Sequence, residues 1–252
     1  MKRARLFARR NLKEMMRDKV GCIFFGLFPL ALLGMFFIIS HSVETPMPLF
    51  ATANLLPGIL VFAYTFVMLY TALLVAKDKS SAFLLRLYAS PMKAGEYILG
   101  YIAPGITVGI LQALVCFGAG ELLLYIEKGK LLPFAVLPKL FFATLPALLF
   151  FVFVGIFFGS TMSEKAAPGV SSILISLSGI LSGAWMPLEN MGKLETFATY
   201  LPFYPAVRMG RYFTAAKNPT FLRDGAVVLV YAVVMLVIAV FSFGAMTKKD
   251  SR

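Results

Sequence analysis

Charge is what this sequence has least of. Of its 252 residues only 14% are Asp, Glu, Lys or Arg, while 60% are hydrophobic, and the mean hydropathy is +0.84. A soluble domain carries about 25% charged residues, so the chain has too little polar surface to coat a water-soluble globule. Acid is scarcer than base, with 12 Asp and Glu against 24 Lys and Arg. Histidine occurs once, at His41, and cysteine twice, at Cys22 and Cys116, both inside apolar runs. These numbers argue against a disulfide and give no metal-ligand spacing. No Gly-x-x-x-x-Gly-Lys-[Ser/Thr] phosphate loop is present. Neither is His-Glu-x-x-His, a histidine pair or Cys-x-x-Cys. A membrane hydrolase needs a nucleophile, a base and an oxyanion site. The lone histidine, in a stretch with Glu44, Pro46 and Pro48, has no such company and reads as a solvated loop residue.

What the sequence does have is long apolar runs. Six stretches lack Asp, Glu, Lys and Arg: 20–43, 45–76, 97–120, 140–163, 166–188 and 225–247, each at least 23 residues long. About 20 apolar residues suffice for a helix to span the hydrocarbon core, and a helix satisfies its own backbone there. A transmembrane barrel would instead alternate in segments of about ten. The first run is too long for a cleavable signal peptide and more spans follow. The reading is an all-α integral membrane protein forming a single transmembrane domain over 1–252. Six helices are expected at 20–40, 55–76, 97–122, 139–158, 168–186 and 224–246.

Charge placement supplies a topology. Residues 1–19 hold eight of the 24 basic residues, 77–96 hold four, and the tail after 247 holds three. Counting Lys165, sixteen basic residues lie on one side of the membrane and eight on the other. The positive-inside bias then places both termini and 77–96 in the cytoplasm, with 187–222 as an outer segment. Residues 1–19 read as an interfacial helix, with Ala8, Leu12, Met15 and Met16 on one side and Arg10, Glu14, Arg17 and Asp18 on the other. A merely basic flank is the alternative. In 77–96, Ser80 or Ser81 can cap a short helix that Pro91 ends. Phe83, Leu84, Leu87 and Tyr88 give that helix an apolar side, suited to a protein partner or to lying flat on the membrane. Residues 187–222 mix aromatics with Pro187, Pro202 and Pro205, and read as one or two short helices re-entering the outer leaflet.

Small residues suggest packing faces. Ser172, Ser176, Gly179 and Gly183 share one side of the fifth span, and Gly105/Gly109 and Gly155/Gly159 mark the third and fourth. The acids Glu96, Glu121 and Glu164 fall at span ends. The bilayer midplane is therefore free of ionisable groups, and a proton-driven carrier would need one there.

Two local patterns carry a resemblance. One is Arg86-Leu87-Tyr88-Ala89-Ser90-Pro91, followed by Glu96-Tyr97 and Gly100. The other is Leu181-Ser182-Gly183-Ala184-Trp185-Met186-Pro187, with Leu201-Pro202 and Arg211 downstream. With the order of parts, these resemble the permease subunit of type-2 ABC exporters, the ABC-2 family, over nearly the whole length. The chain departs from the family at Lys77-Asp78-Lys79-Ser80-Ser81-Ala82, where an acidic Glu-Arg-Glu-x-Gly-Thr is usual.

The resemblance implies an exporter driven by alternating access, with no catalysis in this chain and ATP and Mg held by a separate ATPase subunit. A second copy or a paralogue would complete the pathway. The ATPase would dock on Phe83, Leu84, Arg86, Leu87, Tyr88, Ser90 and Pro91, and on the N-terminal helix. The path would be lined by Tyr64, Met68, Thr71, Ser172, Ser176 and Gly179. An aromatic, charge-poor path suits an amphiphile: a drug, a peptide, a lipid or a lipid-linked glycan. A non-transporting scaffold and a membrane-embedded enzyme are the alternatives, the latter disfavoured by the missing catalytic set.

Overall fold

The computed structural model describes residues 2–44, 48–81, 94–215 and 219–250. Among them every regular element is helical: α1 (Lys2–Arg17), α2 (Lys19–Ser42), a 3-10 turn (Pro48–Phe50), α3 (Thr52–Ser80), α4 (Ala94–Lys128), α5 (Val136–Thr161), α6 (Ala167–Leu181), α7 (Lys193–Ala198), α8 (Phe203–Thr214) and α9 (Phe221–Asp250).

Five helices are long and apolar enough to cross a membrane: Gly21–Ser42, Thr52–Ser80, Gly95–Lys128, Val136–Thr161 and Phe221–Met246. The third expected span, 97–122, is extended at both ends into a helix of 35 residues, about 52 Å long. It runs unbroken through Pro104. The expected fifth crossing differs. Instead of 168–186, α6 covers 15 residues, about 22 Å, less than the roughly 30 Å of a hydrocarbon core. It stops because Gly183 takes φ +65, a left-handed conformation that glycine adopts without a Cβ penalty and that ends helices. The chain then turns back, and Trp185 lies edge-on to Phe62, with ring centroids 4.6 Å apart.

The centre of the bundle is α3. Of its most apolar stretch 89% is buried, against 12% for α2 and 22% for α9, so α2 and α9 form the apolar-surfaced periphery. On α9 the buried side is the stripe Asp224, Val228, Ala232, Ala239 and Phe243, at helical spacing. The α3–α5 crossing is close because Gly155 and Gly159 face α3. A Cβ at Gly155 would stand 2.5 Å from the Met68 carbonyl oxygen, and one at Gly159 2.6 Å from that of Ala72. This agrees with the packing role expected of that pair, and Gly105 and Gly109 meet Val152 and Leu148 of α5 in the same way.

The small-residue stripe on α6 lies elsewhere than expected. Ser172 and Ser176 are exposed, and the buried positions are Ala167, Ser171, Ser178 and Gly179. Residues 167, 171 and 178 form a helical stripe about 100° away from 172 and 176, one residue of helix rotation. Of the expected face, Gly179 packs inward under Trp185, and Gly183, in the turn beyond α6, is buried against Tyr204.

Two short helices, α7 and α8, occupy the segment between α6 and α9. Of these α8 is the packed one, burying Phe203, Tyr204, Ala206, Val207 and Met209. Phe203 stacks on Phe151 of α5 at 6.0 Å.

Candidate functional site

The end of α3 is the most densely connected polar region among the described residues. Four consecutive side chains, Lys77, Asp78, Lys79 and Ser80, each tie α3 to another part of the chain. Asp78 is 1% exposed. Both of its oxygens accept from one nitrogen of the Arg10 guanidinium, Nη1 lying 2.7 Å from Oδ1 and 2.7 Å from Oδ2. Tyr101 of α4 donates its hydroxyl to Oδ2 at 2.9 Å. Lys77 donates to Glu14 at 2.8 Å, and Glu14 also pairs with Arg10 at 2.7 Å, an i,i+4 contact on α1. The hydrogen bond from Lys77 holds the Glu14 carboxyl below its ordinary range, with the Arg10 charge adding to it against the opposing effect of burial. Lys79 donates to the carbonyls of Ser160 and Met162, 2.9 and 3.3 Å away, at the end of α5. Ser80 donates to Glu164 at 2.8 Å.

A buried carboxylate is tolerated only when it is paired and hydrogen-bonded, and here Arg10 and Lys77 pair with Asp78 and Glu14, while Lys79 is held by main-chain carbonyls and Glu164 by Ser80. Residues 77–80 therefore form a cluster in which every charge has a partner within the chain. Asp78 lies two residues before the end of α3. The charge stays at the rim of the apolar bundle.

The N-terminal helix docks on the same end. Phe7 and Met15 are buried, with Asn11 between them at 0% exposure. The spacing i, i+4, i+8 puts all three on one face. Met15 is one of the four residues expected on the apolar side; Met16 is exposed, and Ala8 and Leu12 are half-buried. Asn11 donates to the Gly100 carbonyl at 3.0 Å, and Phe7 meets Tyr101 edge-on with centroids 5.1 Å apart. A Cβ on Gly100 would collide with the Phe7 ring. The Tyr97 and Gly100 positions noted in the sequence thus form the seat of α1. Docking of α1 on α4 was not legible beforehand. An alternating Phe7–Asn11–Met15 face was the available signal, hidden by seven basic residues among the first 17.

At the far end of α3 a second polar group forms around α8. Arg211 donates to the Asn54 carbonyl at 3.0 Å and to that of Gly183 at 2.7 Å. One guanidinium so joins the start of α3 to the turn that ends α6. Arg208 pairs with Asp224 of α9, which also accepts from Thr220 at 3.1 Å. Two elements of the second sequence pattern, Gly183 and Arg211, are in direct contact.

The expected path residues do not share one surface. Tyr64, Met68 and Thr71 are at most 1% exposed. Tyr64 hydrogen-bonds Thr144 of α5 at 3.2 Å, and Thr71 donates to the Val67 carbonyl. Ser172 and Ser176 lie on the exposed side of α6, each donating to its own helix backbone. The expected docking residues Phe83, Leu84, Arg86, Leu87, Tyr88, Ser90 and Pro91 lie outside the described residues. Cys22 and Cys116 are free thiols. No group of three or more His, Cys, Asp or Glu placed to hold a metal occurs among the described residues.

A bundle of several long apolar helices, with its ion pairs at its two ends, defines a multi-pass membrane protein. Residues 35–248 match the family described as ABC-2 family transporter protein, and the chain belongs to that family. Its members are membrane subunits that pair with an ABC ATPase. No curated protein matches the chain.

Proposed function

We propose that this chain is the permease subunit of an ABC exporter in the cell membrane. It moves an amphiphilic substrate outward by alternating access, powered by a separate ATPase that holds ATP and Mg. Two copies, or this chain and a paralogue, form the pathway. Both termini and residues 77–96 face the cytoplasm, and 41–54 and 187–222 face outward; the basic-residue balance supports this orientation. In this reading α8 sits in the outer leaflet, and α6 makes the fifth crossing together with the turn at 182–186.

One observation carries the proposal: the polar cluster at Lys77–Ser80. It immediately precedes the expected docking segment and connects it to α1, α4 and α5. A push on residues 82–93 therefore enters a group of helices that are already tied together. A scaffold has no need of such a junction. The exposed Ser172 and Ser176 face is the part of the expected lining open to a cargo or a second subunit. Tyr64, Met68 and Thr71 join the path only if α3 and α5 separate during the cycle.

The test is the double variant Phe83→Ala, Leu87→Ala, assayed for transport and for co-purification with the ATPase. Burying a Phe or Leu contributes roughly 1.5–3 kcal/mol, so affinity should fall on the order of a hundredfold, and both readouts should fall together. Full transport with full ATPase binding would move the docking site to α1.

A further inference from the structure

Besides docking on α4, helix α1 forms one wall of an open recess of about 790 Å³ against the end of α3. Five cations line it: Arg9, Arg10, Lys13, Arg17 and Lys77. The two carboxylates there, Glu14 and Asp18, are already engaged. Glu14 holds Arg10 and Lys77, and Asp18 caps α2 by accepting from the Gly21 amide at 3.2 Å. That leaves Arg9, Lys13 and Arg17, all exposed, with no ion pair among the described residues. At i, i+4 and i+8 they form a single row along α1.

This row stands where the chain enters the membrane. Arg17 is one residue from the α2 cap, and α2 is one of the five helices able to cross. A second recess of about 280 Å³ adjoins the first, sharing Glu14, Asp18 and Lys77; Tyr70, Leu73 and Leu74 of α3 and Met15 of α1 form its apolar wall, and Glu164, which accepts from Ser80, stands at its edge. A cationic mouth thus opens onto an apolar strip that runs toward the spanning part of α3. A free phosphate would use the mouth alone. A molecule with a charged head and a hydrocarbon tail uses both recesses.

We infer that the α1–α3 recess is a binding site for the headgroup of an anionic phospholipid, with one acyl chain along Tyr70, Leu73 and Leu74. The proposal rests on the membrane embedding of α2 and α3 and not on the identity of the cargo. Arg9, Lys13 and Arg17 hold the phosphate, and Lys77 closes the recess from α3. A lipid seated there bridges α1 to α3 beside the Asp78 cluster.

The full chain, reconstituted in phosphatidylcholine nanodiscs containing a minor fraction of phosphatidylglycerol, is extracted in mild detergent. The lipid retained is then counted by mass spectrometry. Wild type should retain phosphatidylglycerol in preference to phosphatidylcholine. The variant Arg9→Gln, Lys13→Gln, Arg17→Gln should lose that preference by about tenfold or more. Its melting temperature in pure phosphatidylcholine should stay unchanged, because all three side chains are exposed. A charge-matched control, Lys128→Gln, Lys130→Gln, Lys139→Gln, should keep the preference. Retention by the α1 variant, or equal loss in the control, would overturn the site. Full displacement of the lipid by inorganic phosphate would assign the mouth to a soluble anion. If the α1 variant keeps its lipid but loses co-purification with the ATPase, this row is a protein-docking face and the lipid site is wrong. Bound lipid is read independently of transport, so failure of the exporter reading leaves this result standing.

Discussion

A single residue, Asp78, illustrates how a buried charge is made tolerable in an apolar bundle. It is covered almost completely, yet both of its oxygens are used by Arg10 and one also by Tyr101. Breaking a buried ion pair by removing one partner costs about 3–5 kcal/mol, and the lower end applies here because Arg10 is 34% exposed. Asp78→Ala should therefore destabilise the chain by about 3 kcal/mol, measured by thermal unfolding in detergent. The double variant Arg10→Met, Asp78→Leu should recover much of that loss, since apolar replacement of both partners leaves no orphaned charge. If Asp78→Ala alone unfolds at the wild-type temperature, the cluster has no structural weight and the proposed coupling through it fails.

Among the elements, α3 shows most clearly what apolar sequence conceals. Its run of 29 helical residues marks it as a span, but nothing in it distinguishes a lipid-facing helix from a central one. Its position follows from its neighbours: Gly155 and Gly159 of α5 let the two backbones meet. Gly159→Leu should force α3 and α5 apart, because the added side chain would start 2.6 Å from a main-chain carbonyl that cannot move aside. Overpacking of this kind costs about 1–3 kcal/mol, visible as a lower melting temperature. The same substitution at Gly26, where a Cβ would meet nothing within 4 Å, should change stability little. Equal effects at both positions would contradict the close α3–α5 crossing. The α6 helix makes the complementary point. Its small residues were legible as a stripe, but Ser171 and Ser178, not Ser172 and Ser176, turn inward. Serines occupy both sides, so composition alone could not choose between two faces 100° apart.

For the whole molecule, the expected topology places Ser42 and Ser81, both exposed, on opposite sides of the membrane. In a background with Cys22 and Cys116 replaced by alanine, Ser42→Cys should react with an impermeant maleimide on intact cells. Ser81→Cys should react only after the membrane is opened. Equal labelling of both from outside would mean that α3 does not separate them and would invalidate the proposed orientation. The count of crossings bears on this as well. With α6 at 15 residues, the proposed six crossings require local thinning of the bilayer or the aromatic turn after α6 to supply the missing length.

Solvent preference was settled by the sequence alone. Runs of at least 23 residues without a formal charge favour burial in lipid or protein, and continuous apolar runs that cross lipid satisfy their backbone as helices rather than as the alternating strands of a barrel. The order of parts, together with the patterns at 86–100 and 181–211, pointed to the family. Tertiary structure decided which helix is central, which side of α6 is buried and where α1 rests. Each of those depends on contacts between residues far apart in the chain: Arg10 with Asp78, Phe7 with Gly100, Arg211 with Gly183. Hydropathy reports the transfer of a segment out of water, whatever apolar neighbour receives it. Helix–helix contacts in lipid are chosen instead by close packing and by polar groups seeking partners. Those are properties of pairs, and they are settled only when the helices meet.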